Sequence, residues 1–340
     1  MACETALFAV IFAAVVDQCI GDPLWCLHPV VVMGWVISRL RSVAEAFAQN
    51  KPRRLRFAGA VITLLLVGSS CGLGWCIERL VMFREPPLFW TGFTLLVVGL
   101  ASCLAARSLR ESVMAVLAAL PSTQDDAALS RARNQLSWIV GRDVTRLDRQ
   151  QILRAAAESA SENAVDGLFA PLFWMMVGSV LWQWSDLWPG PLALAWGFKA
   201  ASTLDSMLGY RRDQLQWLGT AGARLDDLLT WLPCRLVMVS LPLISRPIWR
   251  MPALVAAAER DGAADPSPNA GRSEAIYAHC AGVSLGGLNR YSDRWVAKPQ
   301  LASHHPAATA ESVRLILNLT SRLELFWLMM GALIMKWFPC

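Results

Sequence analysis

The densest chemistry in the sequence lies near residues 149–166, where Arg154, Glu158, Glu162 and Asp166 recur every four positions. A step of four advances an α-helix by only about 40°, so the three carboxylates are expected on one helical face. Like charges at that spacing repel by roughly 0.2–0.5 kcal/mol per pair in water. A stripe that accepts this repulsion either faces solvent or holds a cation. Asn163 adjoins it, and the helix runs into the apolar stretch APLFWMMVGSVLW, a location that favours Mg2+ or a cationic ligand at a membrane surface. In a second cluster, FKAASTLDSMLGYRR, Lys199 and Asp205 sit inside an apolar stretch, where each charge costs roughly 2.5–3.5 kcal/mol on insertion scales. Such a pair either joins two helices or serves a protein-lined cavity. In ARLDD, Arg224 precedes Asp226 and Asp227 at the edge of another apolar run. Adjacent aspartates there can ligate Mg2+ on a phosphorylated substrate, or simply favour a helix N-terminus.

Two further segments offer polar groups. In DQCIGDPLWCLHPVVVMG, Asp17 lies within the first apolar run, and Asp22-Pro23 and His28-Pro29 are turn formers just beyond it. The stretch DPSPNAGRSEA near 265–275 is kept from helix by its prolines. Its rigid loop offers Asn269 and the amides of Ala270 and Gly271, a shape able to hold an anion, although a plain turn explains it equally well. GVSLGG lacks the GxGxxG spacing, and no Walker A sequence occurs. The clusters together describe an enzyme that handles phosphate at a membrane.

The elements that must position these groups are apolar helices. The 340 residues are 55% hydrophobic and only 17% charged, against about a quarter charged in ordinary soluble domains, and mean hydropathy is +0.40. Sixteen tryptophans suit a membrane–water interface. A net charge of +5 from dispersed basic residues gives no nucleic-acid footprint. Nine cysteines without a CxxC, the closest pairs being Cys19/Cys26 and Cys71/Cys76, read as small hydrophobes. The first apolar run lacks a basic flank and cleavage site and reads as a retained span. Runs near 5–20, 57–77, 88–106 and 314–337 approach bilayer length, and weaker ones cover 168–184, 191–208 and 228–245. An all-α, polytopic integral membrane protein with cytoplasmic helical loops is expected. Its polar segments are 107–166, with helices over LSRARNQLSWIV and from a capping box at Asp148/Gln151 to Gly167, and 246–312. Arg39, Arg41, Lys51, Arg53, Arg54 and Arg56, with the Arg-rich 107–154 segment, put both basic regions in the cytoplasm and the N-terminus outside. If all three weak runs crossed, 246–312 would lie outside, so at least one is expected to be re-entrant or interfacial.

The ordered motifs DxxxxGDPxxxxHPVxxMG (17–34), SWIVGRDxxxLD (137–148), RAxxESxxENxxDGxxAPLFW (154–174), KAxxTLDSMxGY (199–210), GxxxARxDDxxxxxPxRL (219–236) and SPNAGxxEA with GVxLGG (267–287) closely resemble the CobD/CbiB family. The resemblance implies one membrane domain over 1–340 and an adenosylcobinamide-phosphate synthase of cobalamin assembly. That enzyme joins a propionate of adenosylcobyric acid to (R)-1-aminopropan-2-ol or its phosphate, with ATP as co-substrate and Mg2+ as the expected cofactor. It implies an inner-membrane location with the active site facing the cytoplasm. The expected partners are the corrinoid, the amino alcohol phosphate, ATP, membrane lipid and other membrane enzymes of corrinoid assembly, with no nucleic acid. Under this reading Glu158, Glu162 and Asp166 hold Mg2+, and Asp226 and Asp227 offer a second metal position. Lys199, Arg142 and Arg224 neutralise phosphate. Asp205 or His28 takes the proton from the incoming ammonium. Asp143, Asn163, Ser267, Asn269 and Gly271 contact substrate or nucleotide. Asp265, Ser202 and Phe198 depart from the family's usual residues and leave any role there open. The rivals are a prenyltransferase-like enzyme, which would want DxxxD or DDxxD helices that the chain lacks, and a non-enzymatic AmpE-like signalling protein, which needs no such density of acids.

Overall fold

The computed structural model describes residues 2–22, 28–83, 85–121, 126–210, 213–291 and 294–337. Pro23 of the expected Asp22-Pro23 turn and Cys26 lie outside the described residues. In chain order the helices are α1 (Ala2–Ile20), α2 (Pro29–Ala48), α3 (Pro52–Leu80), α4 (Pro86–Ala101), α5 (Ala106–Ala118), α6 (Asp126–Ser137), α7 (Arg149–Ala164), α8 (Ala170–Trp184), α9 (Pro191–Leu208), α10 (Leu215–Leu218), α11 (Thr220–Ser245), α12 (Met251–Gly262) and α13 (Ala270–Ala281). An antiparallel hairpin of β1 (Leu285–Tyr291) and β2 (Arg294–Leu301) precedes α14 (Ala310–Trp337). The architecture is all-α apart from this hairpin.

Helix starts follow local chemistry. Pro stands at the first helical positions of α2, α3, α4 and α9, where its missing N–H costs nothing. The Asp148/Gln151 capping box forms with both reciprocal bonds. Gly167, expected to end that helix, does not. The chain instead passes through a π-helical turn, Val165–Phe169, directly into α8. The wider turn shifts the helical phase of the residues beyond it, and Asp166 stands in its first turn.

All seven apolar runs are helical, except that 88–106 breaks at residues 102–105 between α4 and α5. Pro52–Leu80, Pro86–Ala118, Arg149–Trp184 and Thr220–Ser245 are long and apolar enough to cross a bilayer, and Thr5–Ile20 is a shorter apolar helix. α14 carries Glu311, Arg314, Arg322 and Glu324, and α9 carries Lys199 and Asp205; neither meets the same measure.

The described chain divides into two compact units. The first comprises residues 1–105, 170–230 and 328–340, and the second 106–169 and 231–327. In the first unit, Leu64 (73% exposed), Phe8, Trp35 and Trp90 face outward, an apolar surface suited to lipid. Arg39 lies over Trp35 midway along α2, and Arg56, near the start of α3, lies over Trp217, cation–aromatic pairs of the kind found at membrane interfaces. α3 and α9 pack closely because Gly74 leaves no side chain against the backbone of Ala193, where a Cβ would come within 2.8 Å. Beside that contact, fully buried Glu78 of α3 accepts bonds from the amides of Gly190 (2.8 Å), Leu192 (2.7 Å) and Ala193 (3.0 Å). A carboxylate there satisfies donors that α9 cannot bond internally. Glu78→Ala strands them and is expected to cost about 1–3 kcal/mol, read as a lower unfolding temperature in detergent, with Glu78→Gln losing less.

The second unit gathers both polar segments. α7 is buried along most of its length, and α13 from Ser273 to Cys280. The hairpin bulges between Leu285 and Gly287, with Gly286 and Gly287 at φ +81° and +93°. Glycine is required there by conformation and by space, since a Cβ on Gly286 would lie 1.9 Å from the Pro299 carbonyl oxygen.

Candidate functional site

The nominated residues fall into two groups, one within each unit. In the second unit, Glu158 is 5% exposed and both its oxygens are engaged. Oε2 accepts from Arg142 Nη2 at 2.5 Å and Oε1 from the Gly286 amide at 2.8 Å, with Arg154 Nε 3.6 Å away. Arg142 also donates to Asn289 Oδ1, and Arg154 donates to the carbonyls of Gly286 (2.8 Å) and Leu288 (2.7 Å). The arginines and Glu158 therefore lock α7 to the bulged strand. Both Glu158 oxygens, expected at a metal, serve two guanidinium groups and an amide here. Arg142, expected at phosphate, is likewise committed to Glu158 and Asn289.

Glu162 lies one turn on, within electrostatic reach of Lys298, Asp265, Glu158 and Arg142. Lys298 Nζ sits 3.1 Å from Glu274 Oε1 and 3.7 Å from Asp265 Oδ2. Where the sequence suggested Mg2+ beside Glu162, an ammonium from β2 already supplies positive charge. Burial pulls that ammonium down, but Glu274, Glu162 and Asp265 outweigh it and raise Lys298 above the ordinary lysine range. Burial pushes the Glu274 carboxyl up to about 8 against the pull of Lys298, with Glu162 and Glu158 adding to the rise. An unfolded glutamate ionises near pH 4.3, so the folded state retains a proton that the unfolded chain has released. This contribution to stability is full below about pH 4.3 and is lost as pH rises through about 8. Glu274→Gln keeps the side chain neutral, and its unfolding temperature in detergent is expected to fall less than wild type between pH 5 and 8.

The SPNAG loop is satisfied internally. Ser267 Oγ accepts from the amides of Asn269 and Ala270, both at 3.2 Å, and Asp265 Oδ1 accepts from the Ser267 amide at 2.9 Å. Arg235 Nη1 donates to Asn269 Oδ1 (2.7 Å) and Nη2 to the Pro268 carbonyl (2.9 Å). In the anion cradle expected there, the Asn269 and Ala270 amides are thus turned to Ser267 and the Asn269 side-chain oxygen to Arg235. Gly271 is buried, and a Cβ there would lie 2.7 Å from the Gly262 carbonyl oxygen, so it serves the approach of α12 to α13. Arg235 was quoted in a motif but given no role; its partner lies 34 residues away in sequence, beyond any local pattern. Asp143 organises a turn, its Oδ1 accepting from Thr145 N (2.9 Å) and Oγ1 (2.7 Å). Those bonds, then nearby Arg290 and Arg146, hold its carboxyl below the usual range against slight desolvation. Asn163 donates to Ser159 O and Oγ, both at 2.9 Å, from an exposed position. Asp166 lies within electrostatic reach of Cys234.

In the first unit, Asp226 of α11 lies within electrostatic reach of Asp205, Asp227 and Lys199. Lys199, Asp205 and Asp227 are half-buried, and Arg224 is exposed. Asp226 Oδ1 is buried without a hydrogen-bond partner, an arrangement whose cost needs a compensating group. Three carboxylates with one such oxygen form a hard, oxygen-only donor set, which fits Mg2+. Gly209 leaves room for Asp205, because a Cβ there would lie 2.0 Å from its Oδ1 and 2.6 Å from its carbonyl oxygen. His28 instead caps α2: Nδ1 accepts from the Val30 amide at 3.3 Å, and Nε2 lies 3.2 Å from Asp22 Oδ1 without hydrogen-bond alignment. The cap uses Nδ1 alone, so Nε2 is the nitrogen left for the proton-acceptor role expected of His28.

These features define a polytopic helical membrane protein. One unit carries an arginine–carboxylate lattice, and the other a lysine–aspartate group set among apolar helices. The family model described as CobD/Cbib protein matches residues 10–320, and the chain belongs to the CobD/CbiB family. It is similar to the cobalamin biosynthesis protein CobD of Synechocystis sp., 38% identical over 319 residues covering 94% of this chain and 89% of that protein. It is also similar to the CobD protein of Yersinia enterocolitica, 35% identical and covering 94% and 95%. The cobalamin biosynthesis protein CbiB of Salmonella arizonae is 35% identical, covering 84% of each. No solved structure matches the chain.

Proposed function

We propose that this chain, an enzyme of cobalamin biosynthesis, is the adenosylcobinamide-phosphate synthase that forms the amide between adenosylcobyric acid and (R)-1-aminopropan-2-ol or its phosphate. The observation that carries the chemistry is the group of Asp205, Asp226, Asp227 and Lys199, with its buried, unpartnered Asp226 oxygen. An amide forms from a carboxylate in water only after activation. A propionate oxygen attacks the γ-phosphorus of ATP, ADP leaves, and an acyl phosphate results. The neutral amine then attacks the acyl carbon and expels inorganic phosphate. Lys199 offsets negative charge on the phosphate. Asp205, positioned by Gly209, accepts the proton lost by the ammonium. Mg2+ held by Asp226 and Asp227 would screen the phosphate oxygens and polarise phosphorus. The basic α2–α3 turn favours a cytoplasmic active-site face on the inner membrane, with ATP, corrinoid and amino alcohol phosphate as partners.

Family membership and the density of intramembrane charge favour this reading over the AmpE-like signalling role. Detergent-solubilised chain given adenosylcobyric acid, ATP and (R)-1-aminopropan-2-ol phosphate is expected to yield adenosylcobinamide phosphate with stoichiometric ADP. Folded protein that yields neither product overturns the assignment.

A further inference from the structure

Three of the chain's four histidines converge in the second unit. His279 is buried near the end of α13, while His305 is half-buried and His304 exposed in the segment after β2. One ring nitrogen from each lies within 4.8 Å of the others, and the ring centroids are 5.6, 6.2 and 4.1 Å apart. No part of the ligase reading uses them. They stand about 14 Å along α13 from Ala270, at 1.5 Å rise per residue.

The segment bearing His304 and His305 is held on both sides. Ala302, fully buried, adopts a left-handed backbone at φ +49°, which an L-residue adopts only at a cost. Its amide donates to Asp261 Oδ2 at 2.9 Å, and its carbonyl accepts from the His305 amide at 2.9 Å. Beyond the pair, the Pro306 carbonyl accepts from the Ser284 amide at 2.8 Å. The same Asp261 oxygen lies 3.0 Å from His279 Nε2, so a carboxylate fixes the ring and leaves Nδ1 for another partner. A carboxylate bonded to the far nitrogen of a ligating histidine is the usual outer shell of imidazole metal sites. Arg246 sits near His305 and Arg260 near His279; Asp261 offsets part of their charge.

We propose that His279, His304 and His305 bind a borderline transition-metal dication of the Zn2+ class, with Asp261 orienting His279 and solvent completing the sphere beside exposed His304. Three neutral imidazoles select such ions over Mg2+, which prefers oxygen. Three protein ligands with one open position give the tetrahedral count that Zn2+ takes. The ion would tie α13 to the segment that follows the hairpin.

The test uses full-length chain purified in detergent without a polyhistidine tag, stripped with chelator, desalted and titrated with Zn2+. Metal content, the visible spectrum of a Co2+-substituted sample and unfolding temperature are read. Expected are one tightly held Zn2+ per chain, intense tetrahedral Co2+ bands, a Zn2+-dependent rise in unfolding temperature and no displacement by excess Mg2+. The His304→Gln/His305→Gln variant, altered at exposed and half-exposed positions, is expected to lose at least roughly 100-fold in Zn2+ affinity, and Asp261→Asn about 10–100-fold. Wild type that holds no more Zn2+ than the double variant overturns the site, as does undiminished binding in that variant. Should Asp261→Asn fail to fold, the double variant still decides.

Discussion

Glu158→Ala is expected to destabilise the protein by about 3–5 kcal/mol, the cost of removing one partner from a buried ion pair. The side chain is nearly sealed from solvent and answers Arg142, Arg154 and the Gly286 amide at once. Nε of Arg142 and Nε of Arg154 already lack acceptors, and without Glu158 their remaining partners, Asn289 and strand carbonyls, are neutral. Against a total stability of about 5–15 kcal/mol, the loss is large. It should appear as poor accumulation in membranes and early unfolding in detergent, with amide formation lost in step with folded protein. Glu158→Gln keeps one acceptor oxygen and is expected to lie between. Wild-type stability in Glu158→Ala would contradict the clamp.

Asp226→Asn is expected to behave in the opposite way. The substitution removes one charge from a group of three carboxylates and leaves a neutral amide where an oxygen lies buried without a partner. Folded stability should hold or rise, since an uncompensated buried charge is relieved. Amide formation should fall by roughly 10³-fold, since several kcal/mol of charge stabilisation at phosphorus is lost and each 1.36 kcal/mol is tenfold in rate. Residues kept for chemistry at the expense of stability give this pattern. Asp227→Ala is expected to follow it, with membrane insertion intact.

The contrast between these acids shows what sequence can and cannot convey. Both were recognisable as costly, the first by its four-residue recurrence and the second by its place at an apolar boundary. Their difference lies in partners. Glu158 meets Arg142 from a loop 16 residues earlier and a strand amide 128 residues later, and no periodicity encodes either meeting. The Asp148 capping box was legible because its bonds span three residues. The π-helical turn after Ala164 was not, because Gly167 in sequence reads as a stop. The hairpin was missed for a related reason: its glycines answer a bulge, the Pro299 carbonyl and Arg154 rather than any phosphate motif. Glu78 follows the apolar run of α3 beside Arg79 and reads as part of a charged helix end, and only the position of α9 shows that it caps a helix. The histidines gave a weaker signal still, a His-His pair 25 residues beyond a single His.

The proposed chemistry requires Asp226 and Asp227 to hold a divalent cation. Mn2+ is an oxygen-seeking stand-in for Mg2+, and its binding without nucleotide can be read by the loss of the free-ion electron paramagnetic resonance signal. The comparison is made in the His304→Gln/His305→Gln background, with and without Asp226→Asn. The account predicts one bound Mn2+ per chain and at least roughly tenfold weaker binding once Asp226 is neutralised. Equal binding by the two proteins would contradict it.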